Sequence, residues 1–476
     1  MDIIKEQLAG IVGKNNLILA SENLEELEPY YRGNISFIPE RAPLMAVKPG
    51  TVEEIQAILK VAAMNKLPVT PFSSGKNGHG GAIPSVPGIT IDLRRLNRIH
   101  LIDDVSRNAI IEAGVTFAQL QEKAKEKKLR VLTPIELPSD SSVVSSYVDM
   151  EPLYSWPRYG VESILTMEVL LPNGEILKTG FAAIPLADKP YFPFGTNPAY
   201  LNKVWFGAQG TLGIVTKAVV KLKTLHETKK VLFIPFNSFM ESFPAIKEIK
   251  RFGYPVEFFV ADAAYLAGLL SEESGQFTQL KNDLPPVTAV IVLRGEKEEV
   301  AYQREDILEL SGKLNFSVID SLPADSQAAA KILDEIELPK GYEGFSKLRG
   351  GYSVIPFITM AMQIPMFERI LGQMTQAFSY DRKNIGSLLI PVEPTRVHFQ
   401  YSFYYSSANP QEQMITQKLF ETLSSTLIKI GAFFSRPYGN WAEQVYAKAG
   451  GYKSMVKEIK KVIDPDNIMN PGKLNL

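Results

Sequence analysis

Residues 67–97 read LPVTPFSSGKNGHGGAIPSVPGITIDLRRLN, and this is the most informative stretch of the chain. The apolar run from Leu67 to Phe72 predicts one strand, and Gly88 to Leu93 predicts a second. Between them lies a loop of glycine, small hydroxyl and polar residues that reads SSGKNGHGG over residues 73–81. Small residues let several backbone N–H groups turn toward one point, as phosphate-binding loops do. The stretch therefore predicts an anion-binding loop between two strands.

The surroundings of this loop indicate which ligand it holds. A strand follows it and no helix begins, so it matches neither G-x-G-x-x-G nor G-x-x-x-x-G-K-[ST]. A diphosphate held by a loop between strands indicates a flavin dinucleotide rather than a nicotinamide cofactor or a nucleoside triphosphate. A glycine-rich hairpin loop without a ligand is the alternative interpretation. The cofactor-binding residues predicted in the loop are Ser73, Ser74, Gly75, Lys76, Asn77, Gly78 and His79.

Composition narrows the class of protein. The chain has 476 residues, 45% hydrophobic and 22% charged, which predicts a globular protein of two or three domains. A formal net charge of −1 gives no sign of a nucleic-acid partner. Because there are no cysteines and only four histidines, we predict no metal site. No apolar run approaches the roughly 20 residues that span a bilayer, and no secretory signal is recognisable, so we expect a cytoplasmic protein.

Helical and strand patterns alternate along the chain and predict an α+β fold. Thr51 is a plausible N-cap, and Glu54 completes a capping box three residues later. Further strands are predicted at residues 108–115, 167–175 and 213–221, and further helices at residues 116–128 and 451–463. An Asn-Gly pair at residues 173–174 predicts a hairpin after the 167–175 strand. Polar and charged residues cluster over residues 224–230, where we place a domain boundary.

Several segments in this order and spacing resemble the flavoprotein family of vanillyl-alcohol oxidase and p-cresol methylhydroxylase. The resemblance is best over residues 49–221 and again from residue 385 to the end. The segments that carry it are the loop Ser73 to Pro84, Glu112 to Thr116, Pro138 to Ser142, the hairpin Met167 to Thr179, Gly213 to Lys217 and the tail Ile463 to Lys473.

The resemblance implies a two-lobed FAD-binding domain built from N- and C-terminal segments, with an α+β cap domain covering the flavin. We expect the FAD-binding domain at residues 1–225, the cap at 226–438, and a segment returning to the FAD-binding domain at 439–476. It also implies that the basic residue Lys473 lies near the flavin N1 and C2 carbonyl, where a cation stabilises the reduced cofactor. Other flavin contacts implied are Pro138, Ser139, Ser142, Ile214 and Val215.

The stretch from Pro394 to Tyr404 reads PTRVHFQYSFY and predicts a strand with one polar face. That face suits the wall of a substrate pocket, although a solvent-facing sheet edge would show the same pattern. Arg396 is a candidate to hold a carboxylate or phenolate, and His398 is a candidate base.

The chain departs from the phenol oxidisers of that family, whose phenolate is held by two tyrosines and an arginine. His79 stands where the loop would carry the first tyrosine, and Phe434-Ser435 stands where a Tyr-Arg pair belongs. The anion clamp is therefore either absent, which speaks against 4-alkylphenol substrates, or rebuilt in a shifted register by Arg436 and Tyr438, which follow directly, together with His79. Ser139 takes the place of an aspartate near N5. FAD is expected to be noncovalent, with His79 and Tyr342 as alternative anchors for a covalent link.

These features predict an FAD-dependent dehydrogenase or oxidase acting on a small organic alcohol or an activated aromatic side chain. A glycolate or D-lactate type 2-hydroxyacid dehydrogenase is an alternative, although the H-x-G-D-x-N-x-H run typical of that branch is absent. A flavin-carrying electron-transfer subunit without its own substrate is a third interpretation. Electrons would leave to oxygen or to a redox partner protein, and the resemblance is compatible with a homodimer.

Overall fold

The structure is a computed structural model that describes residues 2–155, 158–184, 200–254, 256–393 and 395–476. Its α-helices are α1 Asp2–Val12, α2 Val52–Met64, α3 Phe117–Lys125, α4 Val143–Val148, α5 Asn202–Trp205, α6 Phe239–Phe252, α7 Ala263–Leu270, α8 Ser274–Asp283, α9 Lys297–Leu314, α10 Ala328–Glu337, α11 Gly341–Lys347, α12 Ile364–Ala377, α13 Pro410–Lys429, α14 Asn440–Lys448 and α15 Gly450–Ile463. Its strands are β1 Leu17–Leu19, β2 Met45–Val47, β3 Val69–Phe72, β4 Ile89–Asp92, β5 Ile99–Asp103, β6 Asn108–Glu112, β7 Leu129–Arg130, β8 Ile164–Leu170, β9 Ile176–Lys178, β10 Ile214–Lys221, β11 Lys223–Thr224, β12 Thr228–Phe236, β13 Glu257–Asp262, β14 Val287–Gly295, β15 Gly350–Met360, β16 Ile385–Pro391 and β17 Arg396–Ser406.

The first sheet carries the glycine-rich loop. Its strand order is β1-β2-β4-β3, and β3 and β4 pair in parallel. Helix α2 packs on it through apolar side chains that recur every three or four residues, including Ile55, Ile58 and Leu59. Thr51 caps this helix by accepting a hydrogen bond from the Glu54 amide, while the Glu54 carboxylate accepts from the Gly50 amide. The expected N-cap is confirmed, but the reciprocal bond is made one residue earlier than a capping box requires.

The second sheet has the antiparallel order β5-β6-β10-β8-β9 and supports the other wall of the same region. Strands β8 and β9 form the hairpin that the Asn173-Gly174 pair predicted, with Gly174 at a φ of 85°. Thr116 and Gln119 form a capping box at the start of α3. Helices α3 and α4 bury Phe117, Leu120 and Val143 against this sheet.

The third large sheet is a six-stranded layer with the order β12-β14-β13-β16-β17-β15, all paired antiparallel. Helices cover both faces, so two apolar cores flank it. This explains why β17 is buried on both faces, although its sequence alternates between polar and apolar residues. The predicted strand is confirmed over Arg396–Ser406, whereas Pro394 lies outside the described residues.

A buried ionic network joins β7, which pairs with β11 in a separate two-stranded sheet, to the six-stranded layer. Arg130 at β7 donates to Glu257 Oε1 over 2.6 Å, and Arg294 in β14 donates to Glu257 Oε2 over 2.8 Å. All three side chains are almost fully buried, so removing one partner would leave an uncompensated charge. The network therefore holds β7 against the six-stranded layer.

The C-terminal tail returns to the first sheet. The amide of Val69 donates to the carbonyl of Ile468, and the amide of Asn470 donates back to the carbonyl of Val69, both over 2.7 Å. Buried Lys460 pins the tail by donating to the Met469 carbonyl and pairing with Asp464. The α+β organisation, with N- and C-terminal segments meeting around the glycine-rich loop, is confirmed. No helix in the described ranges is long and apolar enough to cross a membrane.

Candidate functional site

A cleft opens between the first and second sheets. One wall is the glycine-rich loop, and the other is built by the start of β10 and the turn before it. Of the residues predicted to bind the cofactor, those lining the cleft are Ser73, Ser74, Gly75, Lys76, Asn77, Ile214 and Val215. The cleft therefore lies where the sequence placed a dinucleotide.

The loop offers a set of free backbone donors. Within the described part of the chain, the amides of residues 74–77 and 79–82 donate no hydrogen bond to protein. Buried N–H groups are almost always paired in folded proteins, so a run of unpaired ones lining a cleft indicates an external acceptor. A diphosphate supplies several negatively charged oxygens and would satisfy these donors. These unpaired amides fit the flavin dinucleotide that the sequence of the loop indicated.

Two glycines keep the cleft walls close together. Gly75 has a φ of 67°, and a Cβ there would lie 2.4 Å from the Phe72 ring. Gly210 has a φ of 71°, and its Cβ would lie 2.9 Å from the Pro71 ring. Both positions combine a left-handed backbone with a close approach, so a larger residue would distort the cleft.

The remaining predicted cofactor residues occupy different positions. Ser142 caps α4, and its amide donates to the Ser74 hydroxyl over 3.1 Å, so it supports the loop from behind. Gly78 accepts a hydrogen bond from the Ile35 amide. Pro138 packs against Gly341 and the carbonyl of Ser139 accepts from Ala118, so both lie outside the cleft lining.

The predicted cation of the tail lies beside the loop. The Lys473 ammonium donates to the Gly80 carbonyl over 2.9 Å and is almost fully buried. Burial lowers the pKa of Lys473 to about 8. An anionic group in the cleft would favour the charged form and raise this pKa. Asn470 adds an amide that donates to the carbonyls of Gly81 and Gln209 and joins the tail to both walls.

A cluster of buried polar side chains lies next to the cleft, at the inner face of the six-stranded layer. We call it the polar cluster, and define it as His79, Glu136, Asp149, Glu151, Tyr159, His398, Gln400, Arg436 and Tyr438. Asp149 also lines the cleft, so the cluster and the cleft meet at this residue.

Arg436 is the charged centre of the polar cluster. Its Nη1 lies 2.5 Å from Glu151 Oε2, and both side chains are almost fully buried. Burial opposes the guanidinium charge, but the combined attraction of Glu151, Tyr438 and Asp149 outweighs it, so the pKa of Arg436 is raised. Burial also raises the pKa of Glu151 to about 7, against the attraction of Arg436.

Tyr438 and His79 are brought together as the sequence predicted. Their rings stack with centroids 4.9 Å apart and an interplanar angle of 7°. The Tyr438 hydroxyl donates to Asp149 Oδ2 over 2.6 Å, and Asn77 Nδ2 donates to the same oxygen over 2.5 Å. His79 Nδ1 lies 2.8 Å from the Ser36 hydroxyl. Burial and then the charge of Arg436 lower the pKa of His79 well below its ordinary range, so this imidazole is neutral.

The β17 residues of the cluster surround a further acid. Glu136 Oε1 accepts from Tyr265 over 2.8 Å and from Gln400 Nε2 over 2.5 Å. Burial raises the pKa of Glu136 to about 7. His398 is also fully enclosed, and burial followed by the Arg436 charge lowers its pKa to about 3. A neutral imidazole with such a low pKa is a weak proton acceptor, and His398 Nε2 has no hydrogen-bond partner among the described residues.

Arg396 lies apart from the polar cluster. It is the first residue of β17, more than half exposed, and pairs with Glu393 on the surface. The alternation along the strand predicted that Arg396 and His398 lie on one face. In the structure Arg396, the first residue of β17, is exposed, and the residues that follow it are buried. The predicted role of Arg396 in a substrate pocket therefore finds no support in its position.

The sequence reasoning missed three acids of the polar cluster: Glu136, Asp149 and Glu151. Each lies in or beside an apolar stretch, TPIELP for Glu136 and VDMEPL for the other two. Carboxylates in apolar surroundings are costly to bury and indicate a functional site when they occur near a ligand loop. That signal was present, but it could not show that the three side chains converge.

Comparison with known proteins agrees with this geometry. The FAD binding domain model matches residues 43–180, and the model of the C-terminal domain of FAD linked oxidases matches residues 445–474. The flavoprotein subunit of 4-cresol dehydrogenase [hydroxylating] from Pseudomonas putida is 25% identical, with 98% of this chain and 94% of that protein covered. Glycolate oxidase subunit GlcD from Bacillus subtilis is 23% identical, with 99% and 96% covered. A crystal structure of p-cresol methylhydroxylase with substrate bound superposes with a TM-score of 0.85 at 20% identity, covering 100% of this chain and 96% of that one.

The fold and the cleft thus define an FAD-dependent oxidoreductase. The chain carries an FAD binding domain and the C-terminal domain of FAD linked oxidases, and FAD is its cofactor. The resemblance recognised in the sequence is confirmed at this level, and the fold is that of p-cresol methylhydroxylase.

Proposed function

We propose that the protein is an FAD-dependent dehydrogenase or oxidase that removes a hydride from a small organic alcohol or an activated aromatic side chain. The observation that carries this proposal is the junction of the cleft with the polar cluster. Asp149 and Asn77 line the cleft and are also hydrogen-bonded to each other beside Tyr438. A cofactor in the cleft would therefore border a buried set of acids and imidazoles suited to orient a substrate.

Residues on the two sides of the junction would have different roles, some binding the cofactor and others the substrate. FAD bound in the cleft would accept the hydride, which is chemistry the cofactor itself supplies. The loop amides would hold its diphosphate, and Lys473 would place a positive charge beside the loop. On the substrate side, Arg436, Tyr438 and His79 lie together and position the acids Glu151 and Asp149.

We infer that the flavin is held without a covalent bond. The His79 ring stacks on the ring of Tyr438, and its Nδ1 is hydrogen-bonded to the Ser36 hydroxyl. Tyr342 is the other possible anchor. It is buried against the loop, where a Cβ at Gly78 would lie 3.0 Å from its ring. A homodimer and either oxygen or a redox partner protein as electron acceptor belong to the same proposal.

A 2-hydroxyacid dehydrogenase is the second candidate, and the similarity to glycolate oxidase subunit GlcD favours it. Such a substrate carries a carboxylate and needs a free cation in the pocket. An electron-transfer role without a substrate of its own is the third candidate, in keeping with a relative named as a flavoprotein subunit.

The test begins with the visible spectrum of the purified protein before and after acid precipitation. We expect twin flavin bands, with the yellow colour released into the supernatant, and bleaching when a neutral alcohol is added without oxygen. Colour retained in the pellet would show a covalent link and lead to Tyr342 and His79. Bleaching by 2-hydroxyacids alone would favour the second candidate, and no bleaching by any alcohol or acid would favour the third.

A further inference from the structure

One side-chain atom in the wall of the cleft has no hydrogen-bond partner. Gln209 lines the cleft, and its Oε1 is fully buried and accepts no hydrogen bond from the described residues. Among the described residues that line the cleft, no other buried side-chain oxygen or nitrogen is left unpaired. Buried polar groups of folded proteins are almost always paired, so this oxygen indicates a donor that a ligand supplies.

The contacts of the Gln209 amide group establish its orientation. Nε2 donates a hydrogen bond to the carbonyl of Pro437 over 3.2 Å. A flipped amide would place Oε1 against this carbonyl oxygen, and two acceptors cannot form a hydrogen bond. Nε2 therefore faces Pro437, and Oε1 is the atom that needs a donor.

The backbone holds Gln209 at the cleft wall. Its φ is 50°, in the left-handed region that residues with a Cβ rarely adopt. The Asn470 side chain donates to the Gln209 carbonyl over 2.7 Å and to the Gly81 carbonyl over 3.3 Å. Backbone strain of this kind persists where the surrounding structure enforces it, and it occurs often at ligand sites. The C-terminal tail thus keeps this side chain beside the cleft.

Gln209 lies at the end of the cleft that meets the polar cluster. Its hydrogen-bond partner Pro437 directly precedes Tyr438, and the Tyr438 hydroxyl donates to Asp149, which the cleft and the cluster share. The proposed function has a hydride pass from a substrate at the cluster to the flavin. The isoalloxazine ring would therefore occupy this end of the cleft, with the diphosphate on the glycine-rich loop.

An amide oxygen can only accept hydrogen bonds, so its partner must be a donor. The oxidised isoalloxazine ring carries a single N–H group, at N3, and its other ring heteroatoms and carbonyls are acceptors. We propose that Gln209 Oε1 accepts a hydrogen bond from the flavin N3–H, which makes Gln209 a further cofactor-binding residue. This inference rests on the proposed function, because that function places the ring beside the polar cluster.

The experiment compares FAD with N3-methyl-FAD, in which a methyl group replaces the N3 hydrogen. The apoprotein is titrated with each cofactor by flavin fluorescence, which gives the ratio of the two dissociation constants. Gln209→Met removes the acceptor, whereas Gln209→Glu keeps an acceptor oxygen but loses the bond to Pro437. We expect the preference for FAD to fall about tenfold in Gln209→Met and to persist in Gln209→Glu, because only the first variant lacks a partner for N3–H.

Gln56→Met is the matched control, because Gln56 donates to the Gly174 carbonyl outside the cleft and its loss should leave the preference unchanged. Equal weakening of both cofactors in Gln209→Met, or no change in either, would overturn the inference. Loss of the preference in Gln209→Glu as well would assign the effect to the Pro437 bond and would also overturn it.

Resonance Raman spectra of the holoenzyme give a second readout that does not require removal of FAD. The N3–H bending band should shift in Gln209→Met in the direction of a weaker hydrogen bond and should stay in place in Gln56→Met. An unshifted band in Gln209→Met would contradict the inference. Failure of the proposed function would appear separately, as a flavin that no alcohol or acid reduces.

Discussion

The cleft and the polar cluster meet at Asp149, yet they differ in whether their polar groups have partners within the protein. The cleft presents backbone amides of residues 74–77 and 79–82 that find no acceptor in the described protein. The cluster presents Arg436 and Tyr438 already joined to carboxylates. Unpaired amides favour an anionic ligand in the cleft, whereas the cluster brings buried charges of opposite sign into contact with one another.

Breaking the pairing in the cluster should have the largest effect. Arg436→Met leaves Glu151 buried without its partner, which typically costs about 3–5 kcal/mol of the free energy of unfolding. Urea unfolding of the FAD-loaded protein measures this loss. Arg396→Met is the control, because its pair with Glu393 is exposed and such pairs contribute about 1 kcal/mol or less. Equal losses in the two variants would show that the Arg436 pair is not buried as described.

Filling the cleft should be the next most damaging change. Gly81 lines the cleft at an ordinary negative φ, so Gly81→Leu adds a side chain without straining the backbone. Overpacking of about 3 kcal/mol would lower FAD affinity by roughly a hundredfold. Fluorescence titration of the apoprotein with FAD measures this. Gly10→Leu, where an added Cβ meets nothing within 4 Å, should leave FAD affinity unchanged. Wild-type affinity in Gly81→Leu would mean that the cofactor binds elsewhere.

The pH dependence of the free energy of unfolding tests the protonation of the acids in the polar cluster. Burial raises the pKa of Glu136 from 4.5 to about 7 in the folded protein. The stabilising contribution of its protonated form is therefore full below pH 4.5 and is lost as the pH rises through 7. A shift of this size corresponds to roughly 3 kcal/mol.

Glu136→Gln stays neutral at every pH, so its free energy of unfolding should fall less than that of the wild type between pH 5 and pH 8.5. Urea unfolding at both pH values, with saturating FAD, measures the difference. Identical pH dependence in the two proteins would show that the Glu136 carboxyl is ionised throughout, and that the cluster carries more negative charge than described.

Local rules account for most of what could be predicted. The strands around the glycine-rich loop, the Thr51 cap, the Asn173-Gly174 hairpin and helix α15 all lie where sequence patterns placed them. Each depends on backbone preferences and side chains within a few residues of one another. The ligand of the loop could be predicted for the same reason, because the hydrogen-bond donors are the loop's own backbone amides.

The polar cluster could not be predicted in this way. Glu136, Glu151, His398 and Arg436 are separated by up to 300 positions in the chain, and only the packing of the six-stranded layer against the glycine-rich region brings them together. Arg396 shows the same limit of prediction from sequence. The alternation along β17 predicted the face on which Arg396 lies, but not that this residue is at the exposed end of the strand.

Composition and local geometry therefore suffice to predict the anion-binding loop and the α+β organisation, and the lack of cysteines excludes thiol chemistry. Which charged side chains contact one another beside the cleft is visible only in the folded protein. Coulomb energy and desolvation depend on distance and burial, and neither can be read from positions along a chain.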